Sequence, residues 1–347
     1  MQGTLVECVP NFSEGRDKNV IDQITSPIIE ASGVSLLDVD MGHDFNRTVV
    51  TMVGEPERVL DTVIQCTRVA TRLIDMREHS GEHARMGAVD VVPFIPIRGI
   101  SMEDCVKLSE RYAQAVSEEL DLPVYLYAKA ARTPQRHRLP DIRRGQYEGM
   151  AEKVTSTEWE PDFGPAVFKP KMGVTATGAR PILIAYNVNL DTDDKTLANS
   201  IASKIRTSGS LVKDENGEKV IGDDGKPLRN PGMFESLQAA GWMYDPSTAQ
   251  VSMNLLDYEV TGLHDVTEAI RLEAEKIGLN VTAGELVGLV PLSAMKSAGN
   301  YYNDGSVNND EKSIVERAIS GLMLDRLRDF DPQSCIIEWA IERGAEN

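Results

Sequence analysis

The sequence has few cysteines, few aromatic residues and no long hydrophobic run. Its four cysteines are scattered, without a C-x-x-C pair, which is typical of reduced thiols in a cytosolic protein. No apolar run approaches the roughly 18 residues that a transmembrane helix requires, and the N-terminus lacks the basic segment and apolar core of a signal peptide. These absences predict a cytoplasmic protein that does not insert into a membrane.

Positive charge is also scarce. The chain has 36 Lys and Arg against 54 Asp and Glu, a net charge of −18, which disfavours binding to nucleic acid and to anionic membranes. Residues 129–144 are the exception, because this basic segment contains six Lys and Arg residues and a single acidic residue, Asp141. The segment fits either a small anionic ligand, such as a polycarboxylate or phosphate, or a solvated loop whose cations pair with acidic neighbours. Its cations are Lys129, Arg132, Arg136, Arg138, Arg143 and Arg144.

The order of predicted elements indicates two related halves. A length of 347 residues is typical of a protein with two domains. We predict these domains at residues 1–180 and 181–347. Hydrophobic periodicity predicts the order β-α-β-β-α-β in each half. This order predicts an α+β fold with a duplicated split β-α-β unit, antiparallel sheets covered by helices on one outer face, and a ligand cleft between the domains.

Local patterns predict several individual elements. Leu5–Val9 and Val89–Ile97 are apolar enough for buried strands. Pro56 is predicted to start a helix, and Ser101 opens another that ends near Leu120. The regular pattern fades from residue 129 to 180, while residues 207–232 carry Asn-Gly and Asp-Gly turn signals and are predicted to form a mobile hairpin or loop.

The polar stretch from Glu78 to Asp90 is the strongest candidate for a functional site. It lies between a predicted amphipathic helix and an apolar strand, a junction where scaffolds often carry active residues. His79 and His83 have the spacing of two metal ligands on a helical face, but Gly81 lies between them and the H-E-x-x-H order is absent. A solvated loop without function is a second interpretation. We favour a histidine acid/base tuned by a neighbouring carboxylate and arginine.

A second candidate is the segment 159–173, which is rich in proline, glycine and aromatic residues. This composition predicts an irregular but ordered loop. Because it carries Lys169 and Lys171, and Arg180 follows shortly after, it fits a loop that wraps a planar anionic ligand. A plain strap between two domains is an equally good interpretation.

Several motifs resemble those of the glutamate formimidoyltransferase family, the folate-dependent enzymes of histidine degradation. The resemblance extends from residue 4 to about residue 340. The motifs that carry it are Glu7–Gly15, Leu36–Asp40, Asn46–Val49, Gly81–Ala88, Asn254–His264 and Leu286–Pro291.

The resemblance implies two ferredoxin-like βαββαβ subdomains around a folate tunnel, in a homodimer. It implies tetrahydrofolate as co-substrate, folate and glutamate derivatives as binding partners, and no metal. Animal relatives carry a cyclodeaminase domain after this region, and a second activity is not expected here. His83 falls on the family's catalytic histidine. The implied folate-binding loop consists of Gly164, Pro165, Ala166, Val167, Phe168, Lys169, Pro170, Lys171, Met172 and Gly173.

Within this resemblance, the chemistry of the reaction predicts roles for three residues. A formimidoyl group moves between N5 of tetrahydrofolate and the amine of glutamate. His83 is predicted to take a proton from the attacking nitrogen and to return one to the leaving nitrogen, with a pKa of about 6.5. Asp40, at the end of a strand, is predicted to orient the other ring nitrogen, and Glu82 is the fallback.

Substrate binding is predicted for three further residues. Arg47 and Arg85 suit bidentate binding of substrate carboxylates. Asn11, in the first motif, is a candidate for substrate or folate binding.

Three rival functions stay open from the sequence. One is transfer of a formyl rather than a formimidoyl group, from N-formylglutamate. Another is a metal-dependent hydrolase of formimidoylglutamate that uses His79 and His83. The third is a folate-binding module without turnover.

Overall fold

The chain divides into two units of mixed α and β structure. The computed structural model describes residues 3–222, 225–303, 305 and 308–346. The first unit runs to Pro181, and the second runs from Ile182 to Arg343. No helix within the described ranges combines the length and the apolar character needed to cross a bilayer.

The first unit is built on one large sheet with helices between its strands. Short 3-10 turns lie at Pro134–Arg136 and Thr157–Trp159. The elements are β1 (Leu5–Cys8), β2 (Asn11–Phe12), α1 (Lys18–Glu30), β3 (Val34–Gly42), β4 (Arg47–Gly54), α2 (Pro56–Leu73), β5 (Val89–Arg98), α3 (Met102–Leu120), β6 (Val124–Ala128), α4 (Leu139–Ile142), α5 (Gln146–Thr155) and β7 (Thr175–Ala179).

Strand order in this sheet is β3-β4-β1-β5-β7-β6. Strand β2 follows β1 in the chain and pairs with the same two neighbours, β4 and β5. The pairs among β3, β4, β1 and β5 are antiparallel, whereas β7 pairs in parallel with β5 and β6. The first four of these strands and α1 and α2 thus follow the predicted split β-α-β-β-α-β order. Strands β6 and β7 extend the sheet beyond it.

Helices α1, α2 and α3 cover one face of the sheet. Helix α1 starts because the Asp17 side chain accepts hydrogen bonds from the free amides of Asn19 and Val20. Its apolar residues recur at helical spacing, and Ile21 and Ile24 are buried in the core under the helices.

The opposite face of the first sheet is partly covered as well. Val124 of β6 packs under the helices, while its neighbour Tyr125 belongs to a second apolar cluster, because successive side chains of a strand point to opposite faces. Ile142 of α4 and Met150 of α5 pack in this cluster. The prediction of helices on only one outer face is therefore wrong for this unit. Helices this short and irregular leave too little periodicity to detect in the sequence.

The second unit holds a four-stranded antiparallel sheet in the order β11-β12-β8-β13, with its own core. Helices α6 and α7 pack on one face of it. The elements are β8 (Ile184–Leu190), α6 (Lys195–Ile205), β9 (Ser210–Leu211), β10 (Arg229–Asn230), β11 (Leu237–Asp245), β12 (Thr248–Leu255), α7 (Leu263–Glu275), β13 (Val281–Val287), α8 (Leu292–Tyr301), α9 (Glu311–Gly321), α10 (Pro332–Cys335) and α11 (Ile337–Glu346).

The predicted hairpin in residues 207–232 is present. Strands β9 and β10 pair through Leu211 with Arg229 and through Ser210 with Asn230. Further towards the tip, the amide of Val212 donates to Leu228 and that of Val220 donates to Val212. Two isolated bridges, Lys213 with Lys219 and Ile221 with Pro227, show that the described residues of this segment fold back on themselves more than once.

Candidate active site

Three predicted site residues share one face of the first sheet. Asn11 and Asp40 both pair with Val49, one from each side of β4. Directly opposed residues of antiparallel strands lie on the same face, and Arg47 joins them because it is two residues from Val49. Val50 points the other way, into the core under the helices. Asn11, Asp40 and Arg47 therefore project from the face opposite α1 and α2.

The polar stretch of residues 78–90 and the loop of residues 164–173 are joined at two glycines. Gly87 forms a bridge with Gly173, and the amide of Ala88 donates to the carbonyl of Met172 at 2.8 Å. Gly173 has φ of +71°, and a Cβ there would clash with the carbonyl oxygen of Met86. Glycine is thus required by both the backbone conformation and the close approach. The contact brings together the two segments that the sequence singled out.

The loop is also held at other points. Gly164 has φ of +82° and leaves no room for a Cβ beside the carbonyl of Leu122. Phe168 packs against Tyr147, with ring centroids 5.4 Å apart. Val167, between these anchors, is 55% exposed. The loop is therefore ordered at both ends and presents an apolar side chain to solvent.

His83 is partly buried and has one ring nitrogen engaged. Its Nδ1 lies 2.6 Å from the carbonyl oxygen of Ala84. A carbonyl only accepts, so Nδ1 carries the hydrogen and Nε2 keeps its lone pair in the neutral ring. Burial lowers the pKa of His83 to about 4, with Arg47 and Arg143 adding to the effect. His83 is therefore a neutral imidazole at neutral pH, and its pKa departs from the expected value of about 6.5.

The two carboxylates predicted to orient His83 do not contact it. Asp40 and Glu82 are both exposed, and no hydrogen bond between described residues joins either of them to the imidazole. The carbonyl of Ala84 occupies that position instead. The orienting contact is therefore made by a main-chain carbonyl, which belongs to the residue that follows His83 in the chain.

Both ring nitrogens of His79 form hydrogen bonds within the protein. Its Nε2 donates to the carbonyl of Asn46 at 2.8 Å, and its Nδ1 accepts from Nε of Arg85 at 3.3 Å. Burial lowers its pKa. These contacts give His79 a structural role, and they leave His79 and His83 unsuited to act together as a preformed pair of metal ligands.

Arg85 is occupied by other side chains. Its Nη1 donates to Gln146 at 3.0 Å and to Glu148 at 2.9 Å, and its Nη2 donates to Glu148 at 2.6 Å. The residue is only 8% exposed. A guanidinium held bidentately by a carboxylate of the protein is not free to bind a carboxylate of the substrate. In this structure Arg85 is therefore engaged by Glu148, and its binding of substrate stays a prediction.

Asp90 and Arg143 also belong to this site, although the sequence analysis did not assign a role in it to either residue. Asp90 is completely buried and accepts from Arg47 Nη1 and Arg143 Nη2, each at 2.5 Å, and from the amide of Met86 at 2.9 Å. Arg47 also donates to Asn11 at 2.6 Å. Burial alone would raise the pKa of Asp90, but the two guanidiniums outweigh it and lower the pKa. The signal available in the sequence was Asp90 itself, a charged residue near the start of a mainly apolar strand.

The basic segment of residues 129–144 is largely paired within the protein. Arg136 is buried in an ion pair with Asp162 at 2.7 Å, and Arg144 pairs with Asp141 at 2.7 Å. Arg143 pairs with Asp90. Arg136 and Arg144 thus pair with acidic neighbours, but Arg136 does so in the interior and not in a solvated loop. Arg143 shares its one carboxylate with Arg47.

Family models cover both units. Residues 5–180 match the formiminotransferase domain, N-terminal subdomain, and residues 185–342 match the formiminotransferase domain.

Curated relatives match over most of the chain. A formimidoyltransferase-cyclodeaminase of Mus musculus is 47% identical over 340 residues, which are 97% of this chain and 60% of that protein. A glutamate formimidoyltransferase of Streptococcus pyogenes serotype M1 is 39% identical over 318 residues, 91% of this chain and 99% of that protein. One of Thermoplasma acidophilum is 40% identical over 317 residues, 90% of this chain and 97% of that protein. The chain thus spans about 60% of the mouse relative and nearly all of the microbial ones.

Proposed function

Because the chain belongs to the formiminotransferase family, we propose that it is a glutamate formimidoyltransferase. It moves a formimidoyl group between N-formimidoyl-L-glutamate and N5 of tetrahydrofolate, in histidine degradation. The observation that carries the proposal is His83, a neutral imidazole with its Nε2 unprotonated, beside two arginines.

In the proposed mechanism, His83 shuttles one proton between two nitrogens. The lone pair of N5 attacks the formimidoyl carbon, and Nε2 of His83 accepts the proton that N5 loses. The imidazolium then donates this proton to the nitrogen of glutamate as the carbon–nitrogen bond to glutamate breaks. The amine of glutamate leaves, and His83 returns to its neutral form. The proton is conserved, so no other acid or base is required.

The energy at stake explains the need for a base. In the reverse direction, the ammonium of glutamate must lose a proton, which costs about 2.7 kcal/mol for a pKa about two units above neutral. A positioned general base is typically worth about 10²–10⁴ in rate. The hydrogen bond from Nδ1 to Ala84 fixes the tautomer in which Nε2 can accept.

We assign folate binding to residues 164–173. Support comes from the bridge between Gly87 and Gly173, which places the loop next to the stretch that holds His83. The exposed Val167 and the ring of Phe168 offer apolar contacts to a planar ligand. Tetrahydrofolate is the co-substrate, and Asn11, Arg47 and Asp40 complete the proposed site from the sheet.

Three further properties belong to the same proposal. The two units correspond to ferredoxin-like subdomains at residues 1–180 and 181–347, which the strand order β3-β4-β1-β5 in the first and β11-β12-β8-β13 in the second supports. The protein is a homodimer. It is cytoplasmic, in keeping with the free, buried thiols of Cys8, Cys66 and Cys105.

A steady-state assay of the purified protein tests the proposed function. N-formimidoylglutamate and N-formylglutamate are each supplied with tetrahydrofolate, and the transferred one-carbon group is identified on the folate product. We expect turnover with the formimidoyl donor and much less with the formyl donor. A preference for the formyl donor would assign a formyltransferase. Release of free glutamate without folate, dependent on added metal, would assign a hydrolase.

A further inference from the structure

The site holds two guanidiniums on a single buried carboxylate. The side chains of Arg47 and Arg143 are 11% and 13% exposed, and that of Asp90 is 0% exposed. Among the described residues, no second carboxylate forms an ion pair with either arginine. The Nε of Arg143 is buried and has no hydrogen-bond partner there. One positive charge of this Arg–Asp–Arg cluster is therefore left without a counter-charge.

An uncompensated charge in a protein interior is costly, because burial removes most of its hydration. The histidine next to the cluster does not help, since a positive neighbour disfavours a second cation rather than neutralising the first. An anion that enters the site would supply the missing charge. The planar fork of arginine matches the two oxygens of a carboxylate better than it matches a single-atom anion.

The cluster is tied to the segment that carries the predicted base. The amide of Met86, three residues after His83, donates to Asp90. Both arginines act electrostatically on the imidazole of His83. An anion bound to the two arginines consequently acts on the electrostatic environment of His83.

We propose that Arg47 and Arg143, positioned by Asp90, bind the α-carboxylate of the glutamate substrate. This inference rests on the proposed function. The α-carboxylate is attached to the same carbon as the reacting nitrogen, so it must lie close to His83 during transfer. The side-chain carboxylate of glutamate is farther from that nitrogen, and the glutamate tail of folate lies beyond the aminobenzoyl ring. The α-carboxylate is therefore the anion whose chemistry matches this place.

Binding of the anion has a consequence for the base. A carboxylate at Arg47 and Arg143 offsets the positive field that disfavours the imidazolium of His83. The bound substrate therefore makes His83 a stronger base than it is in the free protein. The pH profile of kcat, which reports the enzyme–substrate complex, should show the His83 ionisation at a higher pH than the profile of kcat/KM, which reports the free enzyme.

Two substrate analogues test the assignment with the wild-type protein. In one, the α-carboxylate of N-formimidoylglutamate is replaced by a carboxamide; in the other, the side-chain carboxylate is replaced. We expect kcat/KM to fall by about 10- to 100-fold more for the α-amide than for the side-chain amide, since a charge-assisted bidentate contact is lost. Equal losses for the two analogues would overturn the proposal.

The variant Arg143→Met tests the residue itself, and Arg144→Met is its matched control. We expect Arg143→Met to raise KM for N-formimidoylglutamate by about 10- to 100-fold and to lose most of the discrimination against the α-amide. Arg144, which pairs with Asp141 on the surface, should leave both quantities unchanged when replaced. Arg143→Lys keeps the charge near Asp90 and should retain part of the discrimination.

The outcomes separate the two proposals. If Arg143→Met lowers activity on both substrates by the same factor, the cluster is only structural and the carboxylate assignment is wrong. If the wild-type protein turns over N-formimidoylglutamate without preference for the α-carboxylate, this inference fails while the proposed function stands. If the wild-type protein has no activity with N-formimidoylglutamate and tetrahydrofolate, both fail.

Discussion

His83 combines a fixed tautomer with a neutral ring, which are the two properties that a base needs at neutral pH. A base that acts in the chemical step contributes little to ground-state binding. We therefore expect His83→Ala to lower kcat by about 10²–10⁴ while the Kd for tetrahydrofolate stays nearly unchanged. His43, an exposed histidine in the turn between β3 and β4, provides the control, because His43→Ala should retain activity. Wild-type turnover in His83→Ala would refute the assignment.

The pKa of His83 gives a second prediction. Burial, then Arg47 and Arg143, lower it to about 4 in the ligand-free protein. Because the lowered value belongs to the folded state, the imidazolium forms only when the pH falls through about 4. The ring signals of His83 in an NMR titration should move at that pH, and Arg143→Met should shift the midpoint up toward about 6.5. A wild-type midpoint near 6.5 would contradict this account.

Asp90 should be important for stability as well as for positioning. Asp90→Asn leaves two buried cations without a counter-charge, which is expected to cost about 3–5 kcal/mol of unfolding free energy. The folded pKa of Asp90 is lowered, so its contribution is complete above the unfolded pKa of about 3.9 and is lost as the pH falls through the folded value. Urea denaturation of wild type and variant at several pH values measures this difference.

The control for that experiment is Asp141→Asn. Asp141 pairs with Arg144 at the surface, and exposed pairs contribute only about 0–1 kcal/mol. A cost for Asp90→Asn no larger than that of the control would mean that the Arg–Asp–Arg cluster does not behave as a buried ion group.

At the scale of elements, the contact between the two glycines holds the proposed folate loop in place. Gly173→Ala adds the strain of a positive φ and a clash with the carbonyl of Met86. We expect the loop to be displaced and the Kd for tetrahydrofolate to rise by about tenfold or more. Gly278 has a similar φ of +75° but open space around its Cβ position, so Gly278→Ala controls for backbone strain alone. Equal folate binding by both variants would argue against the loop assignment.

Some elements could be predicted from the sequence because their signals are local. Pro56 starts α2 as expected, and the side chain of Ser101 accepts from the amide of Asp104 at the start of α3, which ends at Leu120 as predicted. These signals are a residue that favours the start of a helix and apolar residues that recur at helical spacing. Helix α4 has a proline in its first turn but spans only four residues, and α5 has no side-chain cap. Packing against the far face of the sheet stabilises both helices instead.

The sequence can indicate a candidate site only where neighbouring residues carry the signal. His83 stands out within its own motif, whereas Asp90 meets Arg47 and Arg143 across 43 and 53 residues of chain. Contacts over such separations depend on strand order, which a local pattern does not contain. The ion pair of Arg85 with Glu148 was not predicted for the same reason, since the two residues lie 63 positions apart.

At the scale of the whole molecule, each unit has its own apolar core. Ile24 of α1 and Ile270 of α7 are fully buried, one in each core. Truncation of either to alanine should cost about 2–5 kcal/mol. We expect hydrogen-exchange protection to fall mainly in the unit that carries the change, since local openings follow cooperative units. Uniform loss of protection across the chain in both variants would show that the two cores unfold as one.

Asp90 is the point where three distant parts of the first unit meet. Arg47 comes from the start of β4, Asp90 from β5, and Arg143 from the end of α4. Long-range contacts of this kind form only after the intervening loops have closed. The cluster is therefore complete only when the sheet has assembled and the segment after β6 has docked on it. We therefore expect catalytic activity to return later during refolding than the secondary structure does, because activity requires this last docking step.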